Sequence, residues 1–78
     1  MEIVVYTKET CSLCDKAIDL LEELKKEYPF TYTLIDIYED DALLEKYQIM
    51  IPVVEINGEE VDFGIIDAKK IRKRLLLK

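Results

Sequence analysis

Residues 3–14 read Ile3-Val4-Val5-Tyr6-Thr7-Lys8-Glu9-Thr10-Cys11-Ser12-Leu13-Cys14, and they set the frame for everything downstream. The opening run is β-branched and aromatic without polar alternation, which suits a strand covered on both faces. Beyond Cys14, apolar residues fall at Ala17, Ile18, Leu21, Leu24 and Tyr28 with charges between them, the i, i+3, i+4, i+7 spacing of an amphipathic helix. Pro29 predicts the end of that helix, because proline disfavours helical geometry in the residue before it. The two cysteines therefore sit where a buried strand passes into a helix.

Phe30, Tyr32 and Leu34 alternate with Thr31 and Thr33 ahead of Ile35-Asp36-Ile37, predicting a second strand with one face more exposed than the other. Strand, helix and strand in succession read as a βαβ crossover with parallel strands. Asp40-Asp41 opens a short helix of about two turns through Ala42, Leu43, Leu44 and Tyr47, its acids at the positive end of the helix dipole. Val53-Val54-Glu55-Ile56 and Glu59-Glu60-Val61-Asp62-Phe63 flank Asn57-Gly58, two residues that tolerate φ > 0, so a tight antiparallel hairpin is predicted. Gly64 breaks the pattern, and Ile65, Ala68, Ile71 and Leu75 stripe a last helix. The expectation is one α/β domain over residues 1–78, in the order β-α-β-α-β-β-α, without repeats or a linker.

The chain has 78 residues, half of them apolar and 36% charged, with two glycines and two prolines. That composition excludes collagenous, low-complexity and disordered classes. No apolar run approaches the roughly 20 residues of a membrane span, and no basic leader or cleavage site opens the sequence, so a cytoplasmic protein with no membrane partner is expected. The net charge of −6 hides an asymmetry: residues 1–66 carry 16 acids and 5 bases, residues 67–78 one acid and six bases. The acidic bulk argues against nucleic-acid binding, whose affinity rests on phosphate neutralisation. The basic segment reads as a helix whose cations face solvent and complement the negative end of its dipole, with a partner surface as the alternative.

Cys11 and Cys14 form a C-x-x-C pair in a βαβ context. Residues three apart on a helix have Cβ atoms about 5–6 Å apart on one face, close enough for the pair to switch between dithiol and disulfide. At the first turn, unpaired N–H groups and the dipole stabilise a thiolate on Cys11, and Lys8 adds a cation; Cys14, one turn further in, is more shielded. Cys11 is thus the expected nucleophile and Cys14 the resolving thiol. A structural disulfide is the poorer reading, since a reducing compartment opposes it and a four-residue loop constrains little chain entropy. With no histidine and no third cysteine, a monomer cannot complete a tetrahedral metal site, although two chains or external thiols could. Two idle buried thiols are the remaining reading.

Pro52 opens a strand after Ile51. A trans bond there is the common case; a cis bond would turn the Ile51 backbone outward, where an extended substrate segment could pair with it.

Taken in order, Tyr6 to Cys14, Ile51-Pro52 before a strand, Asn57-Gly58, and Phe63-Gly64 leading into a last helix resemble a glutaredoxin of the thioredoxin fold. Within that superfamily the chain is most similar to small glutaredoxin-like proteins with a C-x-L-C motif. The resemblance implies a four-stranded mixed sheet flanked by helices, with the first and third strands central, and a cis bond at Pro52 beside Cys11. It also implies that Lys8 pairs with the glycyl carboxylate of glutathione and that Gly64 lies where the tripeptide seats. The chain departs from glutaredoxins at Ser12-Leu13, where they commonly have Pro-Tyr, at Met50-Ile51, where they have Thr-Val, and at Phe63-Gly64, where they have Gly-Gly. Ile65-Ile66 replaces polar residues that seat the ends of glutathione, and apolar side chains cannot supply those hydrogen bonds. Leu13, Met50, Ile51, Phe63 and Ile65 would instead form an apolar rim suited to a protein substrate, unless Phe63 and Ile65 are core residues.

The reading is a thiol–disulfide oxidoreductase acting in electron transport on protein or glutathione mixed disulfides. Cys11 and Cys14 are its catalytic residues, with Lys8, Leu13, Ile51, Pro52, Gly64 and Ile65 binding substrate. No metal or organic cofactor is held in the fold. Glutathione or a reductase protein serves as reductant, and the protein is a monomer. Two alternatives stand beside it: a carrier in which Cys11 and external thiols hold an iron–sulfur cluster or soft metal, and an adaptor whose basic helix binds a partner in one redox state.

Overall fold

The computed structural model describes residues 2–77. In chain order these form β1 (Glu2–Thr7), α1 (Ser12–Lys25), β2 (Thr31–Asp36), a 3-10 turn (Ile37–Glu39), α2 (Asp41–Tyr47), β3 (Val53–Ile56), β4 (Glu59–Phe63) and α3 (Ala68–Leu77). The order is the one that the hydropathy pattern predicts.

The strands make one mixed sheet in the order β2-β1-β3-β4. β1 runs parallel to β2, with Ile3 opposite Tyr32 and Val5 opposite Leu34, and antiparallel to β3, with Val5 opposite Val54. β3 and β4 form the hairpin; Asn57 and Gly58 at its tip take φ of 52° and 85°, the left-handed pair that matches strand twist. Asn57 also ties the hairpin to β1, its N–H donating to the Glu2 carbonyl and its Oδ1 accepting from the Glu2 N–H.

Because successive strand residues point to opposite faces, the sheet buries two apolar sets. Ile3, Val5, Val54 and Ile56 pack against Leu21 and Leu24 of α1 and Ile71 and Leu75 of α3. On the opposite face Val53 joins Ile37, Tyr47, Ile51 and Cys14, with Leu43 and Leu44 of α2 packed on them. Cys14 thus belongs to the smaller core, at the end of the sheet where β1 passes into α1.

Element ends differ from the sequence expectation at three places. α1 stops at Lys25, one turn before Pro29: the Lys26 N–H turns back to the Glu23 carbonyl, and those of Glu27 and Tyr28 to that of Leu24. Ile37 leaves the second strand for the 3-10 turn, which Asp36 caps through Oδ1 to the Tyr38 N–H at 2.9 Å. The last helix starts at Ala68 rather than Ile65, because Asp67 caps it, Oδ1 accepting the Lys69 N–H at 2.8 Å. Ile65 is therefore a loop residue, 81% exposed, and Phe63 is 54% exposed, so neither is a core residue.

Three of the five cations of α3 meet acids of the same chain: Arg72 pairs with Glu27 at 3.0 Å, Arg74 with Glu59 at 3.3 Å and Lys70 with Asp62 at 3.5 Å. Each such surface pair contributes about 0–1 kcal/mol. They offset part of the charge asymmetry locally, while Lys69 and Lys73 have no ion-pair partner among the described residues.

Candidate active site

The site is built from three segments at one end of the sheet: the β1–α1 turn, the α2–β3 turn and the β4–α3 loop. Thr10 makes the first turn possible by taking a left-handed φ of 54°, uncommon for a non-glycine residue. Cys11 follows in extended geometry as the N-cap of α1. Its carbonyl accepts the first helical bond from the Asp15 N–H at 3.0 Å, and its Sγ accepts from the Cys14 N–H at 3.2 Å. The sulfur of Cys11 thus takes the place usually filled by a serine or aspartate oxygen.

Cys11 and Cys14 are joined as a disulfide, with Cα atoms 5.2 Å apart. Their surroundings differ. Cys14 is 1% exposed within the smaller core, whereas Cys11 is half-buried and opens onto a cleft of about 320 Å³ that Lys8, Leu13 and Ile51 also line. Lys8 and Thr10 continue from there into a second, polar cleft with Asp36 and Tyr38.

The Ile51–Pro52 bond is cis. The segment before it is held from both sides. The Tyr47 carbonyl at the end of α2 accepts the N–H groups of Met50 and Ile51, at 2.8 and 3.2 Å, and the Gly64 N–H donates to the carbonyls of Met50 and Pro52, at 3.1 and 2.8 Å. Gly64 has φ of 72° and open space where a Cβ would stand, so its backbone conformation rather than crowding calls for glycine.

Of the residues singled out from sequence, Lys8, Cys11, Leu13 and Ile51 share one cleft, while Gly64 and Ile65 line an apolar slot on the other side of Leu13. Pro52, expected to bind substrate, is fully buried and lines neither of them. The apolar rim differs from the expected one at Ile51, whose side chain is 8% exposed and belongs to the smaller core. Ile49, 92% exposed on the same cleft, supplies apolar surface in its place. Ile49 and Thr10 escaped the sequence reading; an isoleucine in the turn after a helix was the available signal for the first.

Beneath the site, Tyr6 and Tyr47 stack with ring centroids 4.7 Å apart. Both hydroxyls donate to Glu55, at 3.2 and 3.3 Å, and that of Tyr47 also to Glu60 at 3.1 Å. Burial, with the Glu55 carboxylate second, pushes the Tyr6 phenol up to about 12. Tyr47 is shifted the same way, chiefly by burial. Among the described residues no group of three or more Cys, Asp or Glu is placed to hold a metal ion, so a soft metal on Cys11 would need ligands from elsewhere.

A four-stranded mixed sheet of this order, with a two-cysteine turn at the head of α1 and a cis proline opening β3, defines a thioredoxin-fold protein. The chain belongs to the glutaredoxin-like domain family (DUF836), whose model matches residues 2–76. It is 36% identical over 61 residues to a protein of Methanothermobacter thermautotrophicus described as a probable thioredoxin, covering 74% of this chain and 72% of that one. The solution structure of protein Ne2328 from Nitrosomonas europaea is similar with a TM-score of 0.85 and 30% identity, over 95% of this chain and 89% of that chain. The E. coli glutaredoxin structure gives a TM-score of 0.67 at 22% identity, over 96% and 98%, a likeness of fold.

Proposed function

We propose that this protein is a thiol–disulfide oxidoreductase that reduces protein disulfides through Cys11 and Cys14. The observation that carries the reading is the unequal exposure of the pair: one sulfur caps a helix at the surface, the other is enclosed. In the dithiol form the Cys11 thiolate attacks one sulfur of the target disulfide. An S–S bond forms between Cys11 and the target, and the other target sulfur leaves as a thiolate that takes a proton from solvent. Cys14, deprotonated, then attacks the Cys11 sulfur, releasing the second target thiol. The target gains two electrons and two protons, and the pair becomes the disulfide. An external dithiol protein, or two monothiols such as glutathione, returns the pair to the reduced state. Lys8 favours the Cys11 thiolate by its charge, and the Ile51 backbone beside Pro52 offers an edge for a substrate segment.

A protein target is favoured because exposed apolar side chains, Leu13 and Ile49 on the Cys11 cleft and Ile65 on the adjoining slot, offer contact surface to a protein segment, while the polar lining of the cleft, Lys8, Thr10, Ser12 and Gln48, leaves glutathione as the alternative substrate. Monomeric action in the cytoplasm, without nucleic acid or membrane, completes the reading. The test is turnover of a small glutathione mixed disulfide and of a protein disulfide, comparing wild type with Cys11→Ser. Reduction of the protein disulfide that Cys11→Ser abolishes is expected. A folded wild type inert toward both, and brown when purified anaerobically, would favour the iron–sulfur carrier instead.

A further inference from the structure

We infer that the slot between α1 and the Gly64–Ile66 loop is a specificity pocket for an aliphatic side chain next to the target cysteine of a partner protein, with an acidic neighbour facing Lys16; this rests on the redox reading above. The slot is lined by Leu13, Ala17 and Leu20 from α1 and by Ile65 and Ile66 from the loop. Leu13 is common to this slot and to the cleft that holds Cys11, so a segment lying across the disulfide reaches both.

Size and chemistry define the occupant. The slot measures about 130 Å³. Dry apolar cavities of about 150 Å³ take a benzene-sized group, so this one suits a leucine, isoleucine or methionine side chain. Leu13, 37% exposed, and Ile65, 81% exposed, leave apolar surface at its mouth that no segment among the described residues covers. The one charged residue lining it is Lys16. Lys8 and Lys16 stand on the two clefts that meet at Leu13, and neither has an ion-pair partner among the described residues. The cations of Lys25, Lys26, Lys46, Lys70, Arg72 and Arg74 are matched to acids of the chain, and Lys69 and Lys73, which have no such partner among the described residues either, line neither cleft. Lys8 on the Cys11 cleft and Lys16 on the slot favour an acid on the Leu13 side of a bound segment and speed its approach at low salt, whereas Glu9 and Asp36 line the polar cleft that Lys8 also borders. The occupant is therefore an extended segment carrying the target cysteine, an aliphatic residue on the Ile65 side and an acid beside it.

The test uses short peptides whose single cysteine is linked to 2-mercaptoethanol, with leucine or asparagine next to the cysteine and glutamate or lysine beyond. Bis(2-hydroxyethyl) disulfide serves as a probe too small to reach the slot. The quantity read is the ratio of two peptide rates within each protein, which cancels any change in overall rate. Wild type should favour leucine over asparagine about tenfold, the scale of apolar discrimination, and Ile65→Asn should bring that ratio near one. Wild type should also favour glutamate over lysine at low salt, and Lys16→Glu should invert the order. Equal rates for leucine and asparagine in wild type, or a preference unchanged in Ile65→Asn, overturn the pocket while the redox reading stands, provided the small probe reacts. A folded wild type that exchanges with neither probe nor peptides overturns both.

Discussion

Thr10, Cys11 and Cys14 divide the work of the site at the scale of single residues. Thr10 holds a left-handed φ of 54° so that the chain can leave β1 and present Cys11 as the cap of α1. A non-glycine residue there costs about 1–3 kcal/mol, which neighbouring contacts offset. Thr10→Gly should raise stability by about 0.5–1 kcal/mol, after allowing for glycine's extra freedom in the unfolded chain. Urea unfolding checks this, and a destabilised variant would mean that the Thr10 side chain holds the turn. Tyr6 gives a second residue-scale test. Its phenol titrates near 12 in the fold against 10.0 unperturbed, chiefly from burial and then from Glu55. Tyr32 is raised to about 12 by its bond to Glu22. The unfolded chain releases these protons first, so their contribution to stability is intact below pH 10 and is lost as pH rises to about 12. Urea midpoints should fall across that window, less steeply in Tyr6→Phe; parallel curves would contradict the assignment.

The elements were legible in kind because each carries its own period: a β-branched run for β1, a 3.6-residue stripe for α1, and Asn57-Gly58 between two extended runs for the hairpin. Their ends were less legible, since caps and turns compete with the stripe. Ile65 fits the apolar spacing of α3, yet Asp67 starts the helix three residues later, and the stripe alone cannot show which residue caps. Asp67→Ala should destabilise the protein by about 1 kcal/mol, as losing an N-cap oxygen does. Thermal unfolding tests this, and an unchanged midpoint would show that the Asp67 carbonyl, which accepts from Lys70 and Ile71, suffices. In α1 the buried face is the stability determinant. Leu21→Ala, at a fully buried position between sheet and helices, should cost about 2–5 kcal/mol. A loss below 1 kcal/mol would mean that the larger core closes around the gap.

Across the whole molecule, function depends on how two unequal cores meet. The larger core fixes α1 and α3 on one face of the sheet. The smaller one gathers Cys14, Ile51 and Tyr47 on the other. The place of the cysteine pair at the head of α1 was readable because it resides in a local motif, whereas the cis bond at Pro52 followed from the family resemblance and not from the residues before the strand. The surface around the pair was not readable, because whether Ile49 or Ile51 faces solvent is settled by the turn after α2. There the Tyr47 carbonyl binds two successive N–H groups and turns Ile51 inward. The unequal exposure of Cys11 and Cys14 leads to one decisive measurement: mass analysis of Cys11→Ser and Cys14→Ser after reaction with a protein disulfide. Cys14→Ser should accumulate a mixed disulfide through Cys11, and Cys11→Ser should form none. A stable adduct on Cys14 in Cys11→Ser, with Cys14→Ser unreactive, would contradict the assignment of the exposed cap as nucleophile.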